Sequence, residues 1–365
     1  MRLPEIAPSD VPGMCEVTFA WQPDDPALAD GEVMVHLNSI TDAHREDIDP
    51  ARMDRIGDTD IAAVGYLLPD DLVASYRIVW MPAIPQRPGA TREGWREIHA
   101  AGRPDPRNPE RVPNPLGTTS SVLRMPRSRR NAAEEAATPI RREVRSQDLA
   151  LPADSGVPWA RLLIPSDGAR RLVLMLDGEP WNGLPLEDAL RRLGGPPTAA
   201  VLVGSGTRAE RVVFLPDVDR VCRALAGVLA ACRSARLGEV PEDVVVTGQS
   251  LGGLAAAACV VHAPHLTRTA IAQSGSYWHG IPDDTPRTEG GVLMGEVAGM
   301  SLAGRRLVIQ YGRQEHVLGP LSRRFAKVCR ASSAEVVERE YSGGHDYAWW
   351  FTGVLDALDA LDSAS

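Results

Sequence analysis

Val244-Val245-Val246-Thr247-Gly248-Gln249-Ser250-Leu251-Gly252-Gly253 is an apolar, β-branched run that ends in G-x-S-x-G. A buried strand running straight into this pattern reads as a nucleophile elbow, the strained strand-to-helix turn that holds a serine hydroxyl up from its own backbone. Gly248 and Gly252 leave no Cβ where neighbouring backbone segments of the turn crowd each other. The backbone N–H of Leu251 then lies at a helix N-terminus, where an oxyanion is stabilised. At ordinary glycine usage of ~7%, a chain of this length would show G-x-S-x-G by accident roughly one time in ten. Its setting raises the signal: the run before it has strand character, and the small-residue stretch 252–261 has helix character.

Outward from the elbow, strand candidates at 160–164, 172–176, 199–203, 243–247, 269–273, 307–311 and 336–341 alternate with helical stretches at 186–193, 218–235, 320–332 and from Trp349 onward. Alternation of this length implies a mainly parallel sheet with helices on both faces, the three-layer α/β hydrolase architecture. The amino-terminal part differs. Short β-type runs at 17–21, 33–37 and 75–80, separated by Pro, Asp and Gly clusters, predict a small β-sandwich domain. Residues 104–115 and 124–145 are polar and aperiodic and read as a surface connection. The expected division is an accessory or cap domain with its linker over 1–130 and a catalytic domain over 131–365.

A chain of 365 residues suits two domains, and its net charge of −9 argues against a general nucleic-acid binder. The five cysteines, Cys15, Cys222, Cys232, Cys259 and Cys329, are scattered without C-x-x-C spacing and read as reduced thiols. The N-terminal stretch has no apolar signal-peptide core, and no apolar run approaches the ~18 residues of a membrane span. A cytoplasmic protein without membrane or nucleic-acid partners is expected.

Triads on such sheets follow the chain order nucleophile, acid, histidine. Glu315 follows the strand candidate 307–311, and His345 follows 335–341, both at carboxyl ends of strands. His345 would take the Ser250 proton, with Glu315 orienting the imidazole. Asp346 competes for the acid role but is the histidine's neighbour in sequence. The loop after 172–176 carries Asp177-Gly178-Glu179-Pro180-Trp181, and since Pro180 has no N–H, Gly178 or Glu179 must supply the second oxyanion donor. His316 and His279 are read as uninvolved in proton transfer.

With these residues in place the chain resembles the ferric enterobactin (enterochelin) esterase family, cytoplasmic hydrolases that open the triserine trilactone of iron-loaded catecholate siderophores. The resemblance rests on Leu176-Asp177-Gly178 with Trp181, on 248–254, on Gln273-Ser274-Gly275-Ser276-Tyr277-Trp278, on Gly312-Arg313 with Glu315, and on Gly343-Gly344-His345-Asp346. In the first half it rests on Val17-Thr18-Phe19 with Trp21, His36-Leu37-Asn38 with Thr41-Asp42, 74–77, and Asp105-Pro106 with Asn108-Pro109. It implies an immunoglobulin-like sandwich followed by an α/β hydrolase, with Ser250, His345 and Glu315 as the triad. Two positions depart from the family. Where relatives often have an Arg followed three residues on by Glu, this chain has Arg208 and Arg211, and His316 replaces a common proline.

A ferric tris-catecholate carries three negative charges on an aromatic shell, so its pocket should offer guanidinium groups and aromatic faces. Arg208, Arg211, Trp181, Tyr277 and Trp278 are the candidate substrate-binding residues. Arg127, Arg129 and Arg130 read as a solvated charged linker, with closure over the ligand from the domain junction as the alternative. The expected activity is carboxylic ester hydrolysis of such a siderophore with no resident metal or other cofactor, iron arriving with the substrate, in a monomer or homodimer. The rival readings are an acyltransferase or cyclising thioesterase with the same triad, a general carboxylesterase, and a siderophore-binding protein on a dead hydrolase scaffold.

Overall fold

In the computed structural model, which describes residues 4–23, 28, 30–235, 241–282 and 285–362, the chain forms two units. One comprises Met1–Arg129 together with Ser342–Trp349, the other Arg130–Tyr341 together with Trp350–Ser365. The segment that carries His345 thus groups with the amino-terminal unit rather than with the strand before it and the helix residues after it.

The amino-terminal unit holds β1 (Glu5–Pro8), β2 (Met14–Trp21), β3 (Glu32–Leu37), β4 (Asp54–Arg55), β5 (Ala62–Pro69), β6 (Val73–Met81), β7 (Gly102–Arg103), β8 (Arg111–Pro113) and β9 (Thr119–Arg124). They make a four-stranded sheet in the order β1-β2-β5-β4 and a second sheet in the order β3-β6-β9-β8, with β7 beside β6. Every pairing is antiparallel. Alternate residues of β2, Cys15, Val17 and Phe19, are buried with Val33, Val35 and Leu37 of β3 and Tyr76 and Ile78 of β6 in one core, as two sheets facing each other require. Helix α1 (Arg92–Ala101) buries Trp95 and Ile98 in a smaller cluster with Met34 and Val79. The sequence reading assigned no element here.

The second unit is built on one sheet of eight strands: β10 (Val144–Asp148), β11 (Ala160–Pro165), β12 (Arg171–Leu176), β13 (Thr198–Val203), β14 (Asp243–Gln249), β15 (Thr269–Gln273), β16 (Arg306–Gly312) and β17 (Glu335–Tyr341). Their order is β10-β11-β13-β12-β14-β15-β16-β17, with β10 and β11 antiparallel to their neighbours and the rest parallel. Central strands β12 and β13 are buried at every position, which is what helices on both faces of a parallel sheet demand. β10 begins at the end of the stretch 124–145 read as a surface connection. It is an edge strand with only Val144 buried, so it lacks the apolar pattern that marks a strand in sequence.

Helices α2 (Gly178–Trp181), α3 (Leu186–Arg192), α4 (Arg208–Phe214), α5 (Val218–Ser234), α6 (Leu251–His262), α7 (Val292–Ala298), α8 (Leu318–Ala331) and α9 (Tyr347–Asp362) complete the chain. α6 is buried from Gly252 to Val261. Its run of alanines brings the helix close against β14 and β15, and its lack of a polar face marks it as a core helix. Among the described residues no helix is long and apolar enough to cross a membrane.

Candidate active site

β14 delivers the chain to Ser250 at φ 59°, ψ −117°, a backbone region costing on the order of 1–3 kcal/mol for a residue with a Cβ. Three hydrogen bonds hold it there. The Ser250 N–H donates to the Gln273 carbonyl at 3.0 Å, and the Ser250 carbonyl accepts from the N–H groups of Leu254 and Ser276, each at 3.0 Å. A Cβ on Gly248 would overlap the backbone of Gly252, and one on Gly253 would lie 2.7 Å from the Gln273 carbonyl. These glycines are therefore required by close approach. The Ser250 hydroxyl does not cap its own helix; it sits 3.3 Å from the Ser276 hydroxyl. Leu251 opens α6 with its N–H at the positive end of the helix.

The second candidate oxyanion loop is fixed by charge. Asp177 adopts a left-handed conformation, φ 57°, ψ 52°, at the start of α2. Its buried carboxylate accepts from Arg211 Nε at 2.7 Å and Arg211 Nη2 at 2.6 Å, a bidentate pair. The Glu179 carboxylate accepts from the N–H groups of Ser205 and Gly206, tying α2 to the end of β13. A Cβ on Gly252 would lie 3.1 Å from Asp177 Oδ2, so this loop and the elbow are neighbours. The side chains of Asp177 and Glu179 position the loop, leaving the backbone of Gly178 and Glu179 as the candidate donors.

Glu315 is buried at the end of β16, where Oε2 accepts from the Gly312 N–H at 2.7 Å and from the Ser274 hydroxyl at 2.8 Å. Ser274 in turn accepts from Trp350 Nε1 at 3.0 Å. Beneath these residues runs a buried amide row. Trp181 Nε1 donates to Gln249 Oε1, Gln249 Nε2 to Gln273 Oε1, and Gln273 Nε2 to Gln310 Oε1, at 3.1, 2.9 and 2.7 Å. The three glutamines lie in one register across β14, β15 and β16.

His345 is half-buried in the amino-terminal unit. Its N–H donates to the Ser39 hydroxyl at 3.0 Å, and its carbonyl accepts from Asn38 Nδ2 at 3.2 Å. Asp346 is fully engaged elsewhere: one carboxylate oxygen accepts from the Ala348 N–H at 2.9 Å and the other from the Ser75 N–H. Burial raises its pKa, an effect the backbone hydrogen bonds oppose.

Several expected ligand contacts are corrected by burial and pairing. Trp181 has no exposed surface and serves the amide row. Tyr277 is equally buried and stacks on Phe325 with ring centroids 4.0 Å apart. Neither side chain can touch a ligand. Arg211 is committed to Asp177 and positions the loop. Arg208, at the start of α4, is exposed, and Trp278 is half-buried under the Arg287 guanidinium, 4.4 Å from its ring centroid. Arg127 pairs with Asp70 and Arg130 with Glu135 on the surface.

Sequence reasoning missed Ser276 and Asp177 beside the Ser250 elbow, and Asn38 and Ser39 beside His345. Asp177 and Asn38 stand within motifs the sequence offers, but their partners lie far away in the chain. It also missed a cluster of His36, Asp42 and His99 in the amino-terminal unit, whose donor atoms lie within 4.8 Å of one another. Asp42 already accepts from the Ser39 N–H, from Arg45 at 2.8 Å and from Trp95 Nε1 at 3.1 Å. A cation there would have to displace the guanidinium, so the donor set fits a hydrogen-bonded cluster better than a metal centre.

A strained serine between a buried strand and a buried helix, with fixed backbone donors beside it, defines a serine hydrolase of the esterase class. Residues 16–133 match the family model for the enterochelin esterase N-terminal domain, and residues 225–361 match an esterase family model. The chain is 27% identical to an iron(III) enterobactin esterase of Escherichia coli O6:H1, over 94% of this chain and 90% of the relative. It is 25% identical to an iron(III) salmochelin esterase of the same organism, over 95% and 87%. A crystal structure of the Shigella flexneri enterobactin esterase, obtained in the presence of 2,3-dihydroxy-N-benzoyl-serine, superposes with a TM-score of 0.81 at 25% identity, covering 98% of this chain and 96% of that one. The chain thus carries an enterochelin esterase N-terminal domain and an esterase domain.

Proposed function

We propose that the chain is a cytoplasmic serine esterase of the α/β-hydrolase fold that hydrolyses ester or lactone bonds of iron-loaded catecholate siderophores. Counted from β10, the sheet order is 1-2-4-3-5-6-7-8 with the second strand reversed. Ser250 follows the fifth strand, Glu315 the seventh and His345 the eighth, in keeping with the order nucleophile, acid, histidine. The observation that carries the substrate class is similarity running through both halves of the chain to enterobactin and salmochelin esterases, because the elbow alone is shared by hydrolases of many esters.

In the cycle, Ser250 Oγ attacks the ester carbonyl carbon as its proton passes to His345, whose imidazolium is stabilised by Glu315. The N–H groups of Leu251 and of Gly178 or Glu179 receive the oxyanion. Collapse breaks the ester C–O bond, and the alcohol leaves with the proton from His345. Water, deprotonated by His345, then releases the acid and restores Ser250. On this reading iron belongs to the substrate, and the triad supplies the nucleophile and base without a resident metal. Arg208, with the exposed Val212 and Val213 on α4, and the Trp278–Arg287 pair supply the charge and apolar surface that an anionic aromatic ligand needs. Residues 1–130 are read as the accessory domain and 131–365 as the catalytic one, except that 342–349 group with the accessory unit.

The test is product chromatography after wild-type and Ser250→Ala protein meet ferric and iron-free enterobactin. The wild type should yield linear trimer, dimer and monomer, and the variant should lose at least about 10⁴-fold in rate. An intact trilactone with wild-type protein that still reacts at Ser250 with a fluorophosphonate would move the enzyme to a different ester.

A further inference from the structure

We propose that Asn38 and Ser39, in the accessory unit, are positioning residues that hold the backbone of His345. The proposal rests on His345 being the general base, as inferred above. The three residues close a ring of hydrogen bonds: the His345 N–H donates to Ser39 Oγ at 3.0 Å, the Ser39 hydroxyl donates to Asn38 Oδ1 at 2.8 Å, and Asn38 Nδ2 donates to the His345 carbonyl at 3.2 Å. Both backbone groups of His345 are thereby held by side chains 306 and 307 residues away.

The ring is itself anchored. The Asn38 N–H donates to the Ser75 carbonyl at 2.9 Å, and the Ser39 N–H donates to Asp42 Oδ2 at 2.9 Å. On either side of His345, the Ser342 carbonyl accepts from the Val73 N–H at 2.8 Å and the Asp346 carboxylate accepts from the Ser75 N–H. Strand β6 and the turn after β3 therefore grip residues 342, 345 and 346.

Ser39 stands at φ 63°, a conformation in which glycine is the least strained residue. Stability alone would favour glycine there. What serine adds is the hydroxyl, and the hydroxyl serves His345. Gly343 and Gly344 have no positive φ; they are small because a Cβ on Gly344 would overlap the Ser39 side chain, and one on Gly343 would press on Trp349 and the Val73 carbonyl. The histidine segment is shaped to receive Ser39.

A base displaced by ~1 Å loses about 10²-fold in rate. Ser39→Gly removes the ring's central hydroxyl while relieving backbone strain, so loss of rate can be separated from loss of fold. Ester hydrolysis and fluorophosphonate labelling of Ser250 are measured for wild type, Ser39→Gly, Asn38→Ala and His345→Ala, with thermal midpoints for each. The expected result is a fall in kcat of about 10- to 100-fold for Ser39→Gly with KM within about twofold, slower labelling in step, and an unchanged or higher midpoint. Wild-type kcat in both ring variants overturns the proposal while a dead His345→Ala leaves the triad reading intact. Loss of kcat that only follows loss of folded protein also overturns it. Wild-type turnover by His345→Ala would overturn the triad reading itself, and the proposal with it.

Discussion

The Ser250 elbow and the His345 segment both present a side chain from a backbone that must not move, but they are fixed by opposite means. Ser250 is held by backbone groups of Gln273, Leu254 and Ser276, and its strained φ of 59° is enforced by the crossing of strand and helix. His345 is held by the side chains of Asn38 and Ser39. Backbone restraint tolerates changes of neighbouring side chains and fails when a Cβ is added. Side-chain restraint fails at single distant substitutions that leave the local fold intact.

Gly248→Ala should break the first arrangement most severely. Its Cβ would overlap the Gly252 backbone, which has no rotamer to yield. We expect a stability loss of about 1–3 kcal/mol and a kcat reduced by at least ~10²-fold, read by denaturant titration and ester turnover. A fully active variant would show that the elbow can relax. Arg211→Met should follow. It leaves the Asp177 carboxylate buried without its guanidinium. Breaking a fully buried pair costs about 3–5 kcal/mol, which the 28% exposure of Arg211 reduces to roughly 2 kcal/mol. Arg211→Lys should recover only part of this because a bidentate fork is lost. Equal stability of Met and Lys variants would mean that the pair contributes no net charge stabilisation.

The elbow, the parallel strands and the two-part organisation were legible because each is written locally, as a β-branched run, a period or a glycine spacing. Contacts between distant residues were not. Arg211 reads as a ligand arginine until Asp177, 34 residues earlier, is seen beneath it. Trp181 and Tyr277 follow strands β12 and β15 on either side of β14, yet residue order does not say which way a ring points, and both point into the core. Gly343 and Gly344 suggest a flexible backbone, whereas the space they leave is filled by Ser39, Trp349 and Val73. Helix α4 was missed because seven residues are too few to establish a period, although its Thr207–Glu210 capping box was available as a signal.

Gly344→Ala tests the second arrangement more gently. The added Cβ overlaps the Ser39 hydroxyl, which can rotate, and the Ser39 Cβ, which cannot, so kcat should fall about 10-fold with a stability loss of about 1 kcal/mol. In the Ser39→Gly background the obstruction is gone, and adding Gly344→Ala should cost much less. A double-mutant cycle on kcat reads this coupling directly. Additive losses would mean that Ser39 and Gly344 act on His345 independently.

A further effect is one of pH, confined to the unit that holds His345. Burial, the neighbouring His99, and the charges of Arg77 and Arg45 push His36 down from 6.5 to about 3, against the pull of Asp42. The unfolded chain therefore binds a proton near pH 6.5 that the folded chain refuses until about pH 3. Stability is unaffected above the upper value and falls as pH drops between the two. Asp42 joins this cluster to the Ser39 N–H, so acid should loosen the support of His345 before it reaches the elbow. Hydrogen exchange of β3 and β6 amides should show protection falling below pH 6 in the wild type, and His36→Phe should flatten that dependence while matching wild-type stability at pH 7.5 within about 0.5 kcal/mol. An unchanged slope in His36→Phe would assign the proton uptake to another group, with His99, the other imidazole of the cluster, the first to replace.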